Sequence, residues 1–487
     1  MQHMPAGQTV QAYLDETPLW RDGTAAGIAP LTGMQQRIWW LAAAGKFFEG
    51  LVVFMTGVAM PLIAVEFQMN DVQHGLVGAA SLFGILVGAL ALGHLADRFG
   101  RKRMFIVEML IFVLFLALLP LSPSFTWLVL CLFGLGVALG CDYPTAHMVI
   151  SESIPSAARG RLVLGAFGFQ ALGALSGTAL GYLVLSNLPE VEAWRWMYAA
   201  VLPPAVLVAA GRFFVTRSPH WLMSHGRVDE AEAEMAKLLR RTPPYPGTIR
   251  LLPGPQANGN GNGGRPGIKA LFQGGNRRAT ILASLPWFLQ DLGTYGIGIF
   301  TPTILATALG HAATRAHDLS DVIARDLFAV EGAALIDLLL IVGIAAAVLL
   351  ADRVGRIPLQ VAGFLGCALG LLLAALSLDQ SGPTQTILLF AGFMLFNFMT
   401  NLGPNAQTYL IAGEVFPTAI RGRGAGFAAA FGKIGAVATA FLFPILLADL
   451  GTRPLLLILV GTSLLGALVT WAFRIETAGR SLEEEPG

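Results

Sequence analysis

Charged residues are scarce in this chain of 487 residues. Asp, Glu, Lys and Arg make up 13% of it and hydrophobic residues 55%, whereas soluble globular proteins average about 25% charged residues. This scarcity excludes a water-soluble protein with an ordinary polar surface. The formal net charge of +1 offers no basic face to a nucleic-acid partner. Repeated apolar runs of about 18 residues or more predict an all-α integral membrane protein in a lipid bilayer.

Cysteine is almost as rare. Cys131, Cys141 and Cys367 are the only three, and each lies in an apolar run without a CxxC pair. We interpret them as packing residues, so the sequence predicts no disulfide framework, no metal site and no bound cofactor. Neither HExxH nor GxSxG occurs, and we expect no enzymatic activity.

Twelve membrane-spanning helices are predicted from the apolar runs. Their ranges are 37–62, 74–95, 104–121, 125–150, 162–185, 195–216, 280–305, 327–350, 358–378, 384–410, 424–447 and 454–474. The runs fall into two bundles of six helices, at 37–216 and 280–474. The region 217–279 separates them as a linker, with short helices followed by a Gly/Pro/Asn-rich stretch.

The two ends of the chain are polar. Residues 1–36 lack the basic-then-apolar order of a signal peptide, and we expect them to be disordered. Residues 475–487 form the tail. With twelve spans, both ends and the linker share one side, and that side carries nearly all Lys and Arg within the loops. The exceptions are Arg195, Arg315, Arg325 and Arg453. The positive-inside rule therefore predicts cytoplasmic termini.

The two halves repeat the same charged motifs. LADRFGR at 95–101 recurs as LADRVGR at 350–356, after 255 residues. The spacing of Glu152, Pro155 and Arg159-Gly-Arg161 recurs after 262 residues, beginning at Glu414. Two motifs repeated in order at nearly one offset indicate an internal duplication. Transporters built from parallel repeats bind substrate between the halves, near the bilayer midplane.

The acidic residues of these motifs contribute little to the orientation of the spans in the membrane, which depends on Lys and Arg. We therefore predict salt bridges between helix ends that open and close as the cavity changes its access. The predicted gating residues are Asp97, Arg101, Glu152 and Arg159 in the first half, and Asp352, Arg356, Glu414 and Arg421 in the second. Gly100 and Gly355 are expected to form tight turns with positive φ.

These motifs resemble a known superfamily. GHLADRFGRKR at 93–103 resembles the helix 2–3 signature of the major facilitator superfamily. RSPHWL at 217–222 and ETAGRSL at 476–482 resemble motifs of its sugar-porter branch. The resemblance covers residues 37–482. It implies the major facilitator fold, with twelve helices in two pseudo-symmetric halves, and transport by alternating access.

Other motifs resemble those of phosphate:proton symporters and their bacterial metabolite-transporter relatives. They are GCDYP at 140–144 with Gln170, the Trp287, Asp291 and Tyr295 series, NLGPN at 401–405, and Gly432-Lys433. The resemblance implies that Tyr143, Gln170, Trp287, Asp291, Tyr295 and Asn405 line the substrate, with Asp142 and Lys433 beside it. In helix 1, Glu49 matches the first of two acids in that family, while Val52 replaces the second.

Spacing leads to the same residues. Trp287, Asp291 and Tyr295 are four residues apart and share one helix face. Acids within membrane helices are costly and mark functional sites. We therefore predict proton coupling at Glu49, Asp142 and Asp291, and substrate or proton coupling at Lys433.

The sequence thus predicts a monomeric, proton-coupled symporter of the bacterial inner membrane. Its expected substrate is a small polar anion, either inorganic phosphate or an organic acid. A sugar or polyol symporter, an exporter of a small metabolite and a nutrient sensor that does not transport remain as alternatives. The sequence does not identify the substrate, and it assigns no role to the intramembrane acid Asp337.

Overall fold

The computed structural model describes residues 7–16, 30–92, 99–240, 249–252, 268–308, 319–417 and 420–477. Within these ranges the chain is helical, and its β-structure is one isolated bridge between Gln8 and Leu251. The all-α fold predicted from the apolar runs is confirmed.

The first half contains α1 to α8. The bounds are α1 Val10–Asp15, α2 Gly33–Phe67, α3 Asp71–Leu92, α4 Arg101–Leu118, α5 Phe125–Ser151, α6 Ser156–Phe167, α7 Phe169–Asn187 and α8 Ala193–Phe213. Helix α2 begins four residues before the predicted span because Thr32 caps it. Thr32 Oγ1 accepts from the Gln35 amide at 3.2 Å, and the Gln35 side chain accepts from the Thr32 amide at 2.8 Å. This reciprocal capping box satisfies two backbone donors.

The second half follows two short helices of the linker. The bounds are α9 Pro219–Ser224, α10 Val228–Leu238, α11 Asn276–Ala308, α12 Leu319–Val354, α13 Arg356–Ser377, α14 Gly382–Leu402, α15 Pro404–Glu414, α16 Arg421–Leu450 and α17 Thr452–Ala472. Gly100 and Gly355 precede α4 and α13 with φ of 95° and 102°. The two predicted turns are therefore confirmed at matching places in the halves.

Eleven spans in the described ranges are long and apolar enough to cross a membrane. Two of them join consecutive helices, α6 with α7 and α14 with α15, which meet at Gly168 and Gly403. Helix α11 supplies the twelfth span with 33 residues. Its apolar character is lower because buried polar residues, among them Gln290 and Asp291, lie along it.

We call the side that carries both chain ends the terminal side. On the opposite side the two halves meet through glycines. A Cβ on Gly57 would lie 2.3 Å from the Ile299 carbonyl oxygen, and one on Gly75 would lie 2.3 Å from that of Phe441. These distances leave no room for a side chain, so α2 packs on α11 and α3 on α16 backbone to backbone.

On the terminal side, helix α1 docks on the start of α6. Asp15 accepts from the Ser156 amide at 2.7 Å, and Val10, Tyr13 and Leu14 are buried. The disorder expected for residues 1–36 thus differs from the structure at 7–16 and 30–36. The reason is that Tyr13 and Leu14 find apolar partners that are distant in sequence, which a local compositional argument does not detect.

Candidate functional site

The centre of the site is an ammonium group between two carboxylates. Lys433 of α16 lies 3.5 Å from Asp291 Oδ2 of α11 and 3.8 Å from Glu49 Oε1 of α2. Its Nζ donates to the Tyr295 hydroxyl at 2.6 Å. Lys46, one turn before Glu49, pairs with Glu49 Oε2 at 3.0 Å. All five side chains are buried, so each charge is compensated by a neighbour and not by water.

Gln170 of α7 extends this network. Its amide nitrogen lies 3.2 Å from Glu49 Oε1 and 3.2 Å from the Tyr295 hydroxyl. Tyr295 in turn donates to Glu49 Oε1 at 3.3 Å. Gln170 reaches Glu49 because α2 and α7 approach closely, and a Cβ on Gly50 would lie 2.0 Å from the Gln170 carbonyl oxygen. Predicted residues from both halves therefore meet in one cluster.

A small cavity adjoins this cluster between the halves. Its volume is about 20 Å³, and its polar lining comes from Gln170, Thr294, Tyr295, Asn401 and Asn405. About 10–15 Å³ of such volume holds one water molecule. A substrate larger than a few atoms therefore requires the two halves to move apart.

One side of the cavity is lined by side-chain amides that belong to the second half. Asn405 donates to Asn401 Oδ1 at 2.6 Å and accepts from Gln290 at 3.2 Å. Gln290 also donates to Thr294 at 2.7 Å. Asn405 thus lines the small cavity, held in place by two amides and not by the charged cluster, and its contact with substrate stays a prediction.

Tyr409 of α15 separates this region from the terminal side. Its hydroxyl lies 3.1 Å from His147 Nδ1, and its ring stacks on Phe167 at 4.7 Å. Trp287 meets the same ring edge-on at 6.3 Å. Trp287 therefore borders the closure and packs against Gly432, where a Cβ would lie 2.6 Å from the indole. The sequence analysis did not identify Tyr409. A tyrosine within the predicted tenth span could have indicated a functional position, because its hydroxyl needs a polar partner there.

Asp142 occupies a second charged cluster. Arg212 of α8 donates to Asp142 Oδ1 at 2.9 Å and to Glu108 Oε1 of α4 at 2.7 Å. The Arg212 guanidinium also lies 3.7 Å from the centre of the Phe105 ring. Asp142 packs against α2, where a Cβ on Gly45 would lie 2.0 Å from Asp142 Oδ2.

The resemblance implied that Asp142 lies beside the substrate with Lys433, and that role stays a prediction; the structure places Asp142 in the Arg212 cluster. Among the side chains that the structure describes, its ion-pair partner is Arg212, within its own half. Arg212 and Glu108 were missed, yet both are charged residues within predicted spans. That is the signal that marks intramembrane functional sites.

The predicted salt bridges form within each half. Arg101 Nε lies 3.1 Å from Glu152 Oε1, and Arg356 Nε lies 3.2 Å from Glu414 Oε2. Arg159 instead donates to Gln11 of α1 at 2.9 Å, so it is not part of the Glu152 pair. Asp97 lies outside the described residues, as do the side chains of Tyr143, Asp352 and Arg421.

Asp337 of α12 bridges the halves on neutral partners. It accepts from Thr178 of α7 at 2.9 Å and from Asn397 of α14 at 3.2 Å. It is 3% exposed, and no cation among the described side chains pairs with it.

Taken together, the buried side chains between the halves offer acids that can bind protons, an ammonium that can bind an anion, and amides and hydroxyls that can orient a polar ligand.

The chain resembles known transporters along almost its whole length. Residues 27–486 match the family model described as "Sugar (and other) transporter". The chain is 30% identical to the inner membrane metabolite transport protein YgcS of Escherichia coli, over 92% of this chain and 93% of that one. It is 26% identical to a putative inorganic phosphate transporter of Schizosaccharomyces pombe, over 93% and 88% of the two chains.

A solved structure confirms the architecture. The proton:xylose symporter XylE of E. coli, a major facilitator superfamily protein, superposes with a TM-score of 0.72 at 21% identity, over 93% of this chain and 98% of that one. At this identity the likeness shows the fold, which is two halves of six helices. The resemblance drawn from the sequence motifs is confirmed. This chain is a multi-pass membrane transporter that belongs to the sugar (and other) transporter family.

Proposed function

We propose that this protein is a proton-coupled symporter of a small polar anion, with inorganic phosphate as the first candidate. The observation that carries the proposal is the position of Lys433, a buried cation between Asp291 and Glu49 where the halves meet. The relative named as a phosphate transporter and the proton-coupled structural neighbour add support.

The charges suggest how proton and anion bind together. Lys433 interacts with both acids, so an arriving anion competes with carboxylates for the ammonium. An anion next to ionised Asp291 is also repelled at low dielectric. A proton on Asp291 removes that repulsion and leaves Lys433 for the anion. Tyr295, Gln170 and Asn405 then orient its oxygens through hydrogen bonds.

Alternating access follows from the two closures. We propose that both termini are cytoplasmic and that the protein lies in a bacterial inner membrane as a monomer. The glycine contacts then close the periplasmic side, and Tyr409 closes the cytoplasmic side. The Arg101–Glu152 and Arg356–Glu414 pairs hold the helix ends while the halves rock about the site. A ligand drives this motion only through its different affinity for the two states.

A sugar or polyol symporter is the second candidate. It is favoured by the amides of Asn401 and Asn405 along one side of the cavity, which match hydroxyl groups as well as phosphate oxygens. Lys433 distinguishes the two candidates. A neutral substrate gains little from a buried ammonium, so Lys433→Gln should impair phosphate uptake much more than sugar uptake.

The decisive test is uptake of labelled phosphate into proteoliposomes, with and without an inward proton gradient. We expect accumulation that depends on the gradient and disappears in Asp291→Asn. Asp379→Asn is a matched control, because that acid pairs with Arg453 at the exposed surface, and its uptake should be normal. Absence of phosphate uptake by the folded wild type, with sugar uptake present, would select the second candidate.

A further inference from the structure

The Asp142 cluster contains one more acid than base. Arg212 bonds one oxygen of Glu108 and one of Asp142, and the three residues are at most 3% exposed. The remaining oxygens, Glu108 Oε2 and Asp142 Oδ2, accept no hydrogen bond from any side chain that the structure describes. The two carboxyl groups meet on one guanidinium, Glu108 on Nη1 at 2.7 Å and Asp142 on Nη2 at 2.9 Å.

The imbalance extends to the neighbouring central cluster. Four acids, Glu49, Glu108, Asp142 and Asp291, face three bases, Lys46, Lys433 and Arg212, so the seven charges leave one negative charge in excess. Burial of an uncompensated charge costs several kcal/mol, and a buried acid avoids this cost by binding a proton. The central cluster is balanced by itself, with two acids and two lysines. The excess therefore resides at Glu108 and Asp142.

We propose that Glu108 and Asp142 share one proton beside Arg212, and that this pair is the inner proton-binding site of the transporter. The proton would lie between Glu108 Oε2 and Asp142 Oδ2, one carboxyl group donating and the other accepting. This inference rests on the proposed proton coupling and names the residues that carry the proton. Glu108 becomes the acid that takes up and releases the proton, and Arg212 becomes its permanent counter-ion.

Position supports release to the cytoplasm. Glu108 lies seven residues inside Arg101, and Asp142 nine residues before Ser151, which places both about 10–14 Å from the terminal end of their helices. Lys46 hydrogen-bonds Glu49 and follows Gly45, where a Cβ would lie 2.0 Å from Asp142 Oδ2, so it joins this site to the central cluster.

Other groups face the site from the helices around it. Cys141 of α5 is buried next to Asp142 in the chain, and the Tyr409 hydroxyl of α15 lies 3.1 Å from Nδ1 of His147, also in α5. On the terminal side, a cavity of about 10 Å³ is lined by Lys46, His147 and Tyr409. Displacement of Tyr409 would therefore open a path for water to the proton.

The proton is detected directly by infrared difference spectroscopy of the purified protein in lipid, between acidic and alkaline pH. The wild type should show the carbonyl band of a protonated carboxyl group. Glu108→Gln, whose amide still bonds Arg212, should lose the Glu108 contribution to that band. Glu66→Gln is the matched control, since Glu66 pairs with Arg195 on the opposite side of the same half, and it should keep the band. A band unchanged in Glu108→Gln overturns the proposal.

Transport gives the second readout. A pH difference of one unit drives about tenfold accumulation per coupled proton. In Glu108→Gln the accumulation ratio should fall to about one, while exchange of labelled for unlabelled phosphate continues. Gradient-driven accumulation that matches the wild type would overturn the proposal. Failure of the phosphate function itself is distinguishable, because the infrared band requires no substrate. If Glu108→Gln does not fold, Glu108→Asp should keep the band at a shifted titration midpoint, and an unshifted midpoint counts against Glu108.

Discussion

Lys433 contacts Tyr295 twice, through a 2.6 Å hydrogen bond to the hydroxyl and from 4.4 Å above the ring centre. The hydroxyl also lies 3.2 Å from Gln170 and 3.3 Å from Glu49. Tyr295 is therefore the side chain through which α11, α16, α7 and α2 are joined. A substrate that enters between the halves must rearrange the bonds of this one hydroxyl.

Removal of that hydroxyl should weaken substrate binding. In Tyr295→Phe, Lys433 keeps the ring contact but loses a charge-assisted hydrogen bond, a type that contributes about 1.5–3 kcal/mol. We expect KM for phosphate uptake to rise by about tenfold to a hundredfold, with folding retained. Tyr198→Phe is the control, because its hydroxyl bonds Thr56 at 2.7 Å away from the site. Equal KM values for Tyr295→Phe and wild type would remove Tyr295 from the binding site.

The close approach of α2 and α7 should be sensitive to a single methyl group. In Gly50→Ala the new Cβ would lie 2.0 Å from the Gln170 carbonyl oxygen, so the helices must separate. Overpacking of this kind costs about 1–3 kcal/mol, and displacement of Gln170 should also lower uptake. The thermal midpoint in detergent measures the first effect. Gly461→Ala in α17 meets no atom within 4 Å and should melt no lower than the wild type.

Loss of the Tyr409 ring should open the terminal side. Tyr409→Ala removes the contacts with His147, Phe167 and Trp287. We expect Ala146→Cys, which borders the small cavity beside Tyr409, to react several times faster with a charged thiol reagent added from the terminal side. Tyr409→Phe keeps the ring stacked, and its labelling rate should stay near that of the parent. Similar rates in all three proteins would show that another group closes this side.

Acid should destabilise the linker helix α9 through His220. Burial lowers the pKa of His220 below its ordinary value of 6.5, although Glu152 nearby acts in the opposite direction. A lowered pKa means that the unfolded chain binds the proton more readily, so stability is lost as pH falls below about 6.5. We expect His220→Asn to reduce the drop in melting temperature between neutral and mildly acidic pH. The exposed His225→Asn should leave that drop as it is in the wild type.

The sequence predicted the membrane architecture well because lipid imposes a simple rule. Every span must satisfy its backbone hydrogen bonds within an apolar helix. The repeated charged motifs then identified the two halves. The sequence also predicted that Glu49, Gln170, Tyr295 and Lys433 belong to one site. Corresponding polar positions in duplicated halves face a shared axis, and the structure finds these four in direct contact.

Such sequence patterns could not identify Arg212 as the partner of Asp142. Periodicity says which residues share a helix face, but it does not say which helix packs against that face. Arg212 lies 70 residues after Asp142, and the two meet because α8 and α5 both pack against α4 and α2. The docking of α1 was missed for the same reason, since Asp15 and Ser156 are 141 residues apart. Contacts between distant helices require the packing of the whole bundle.

The two closures differ in what an inherited mutation can do to them. On the opposite side, Gly57 and Gly75 touch backbone atoms of the other half, so any substitution there wedges the halves apart at that end. On the terminal side, the closure depends on the ring of Tyr409, and loss of atoms is what weakens it. Variants that stay open on the opposite side should therefore arise from glycines gaining side chains. Variants that stay open on the terminal side should arise from an aromatic residue becoming smaller, and the two classes can be told apart by sequencing alone.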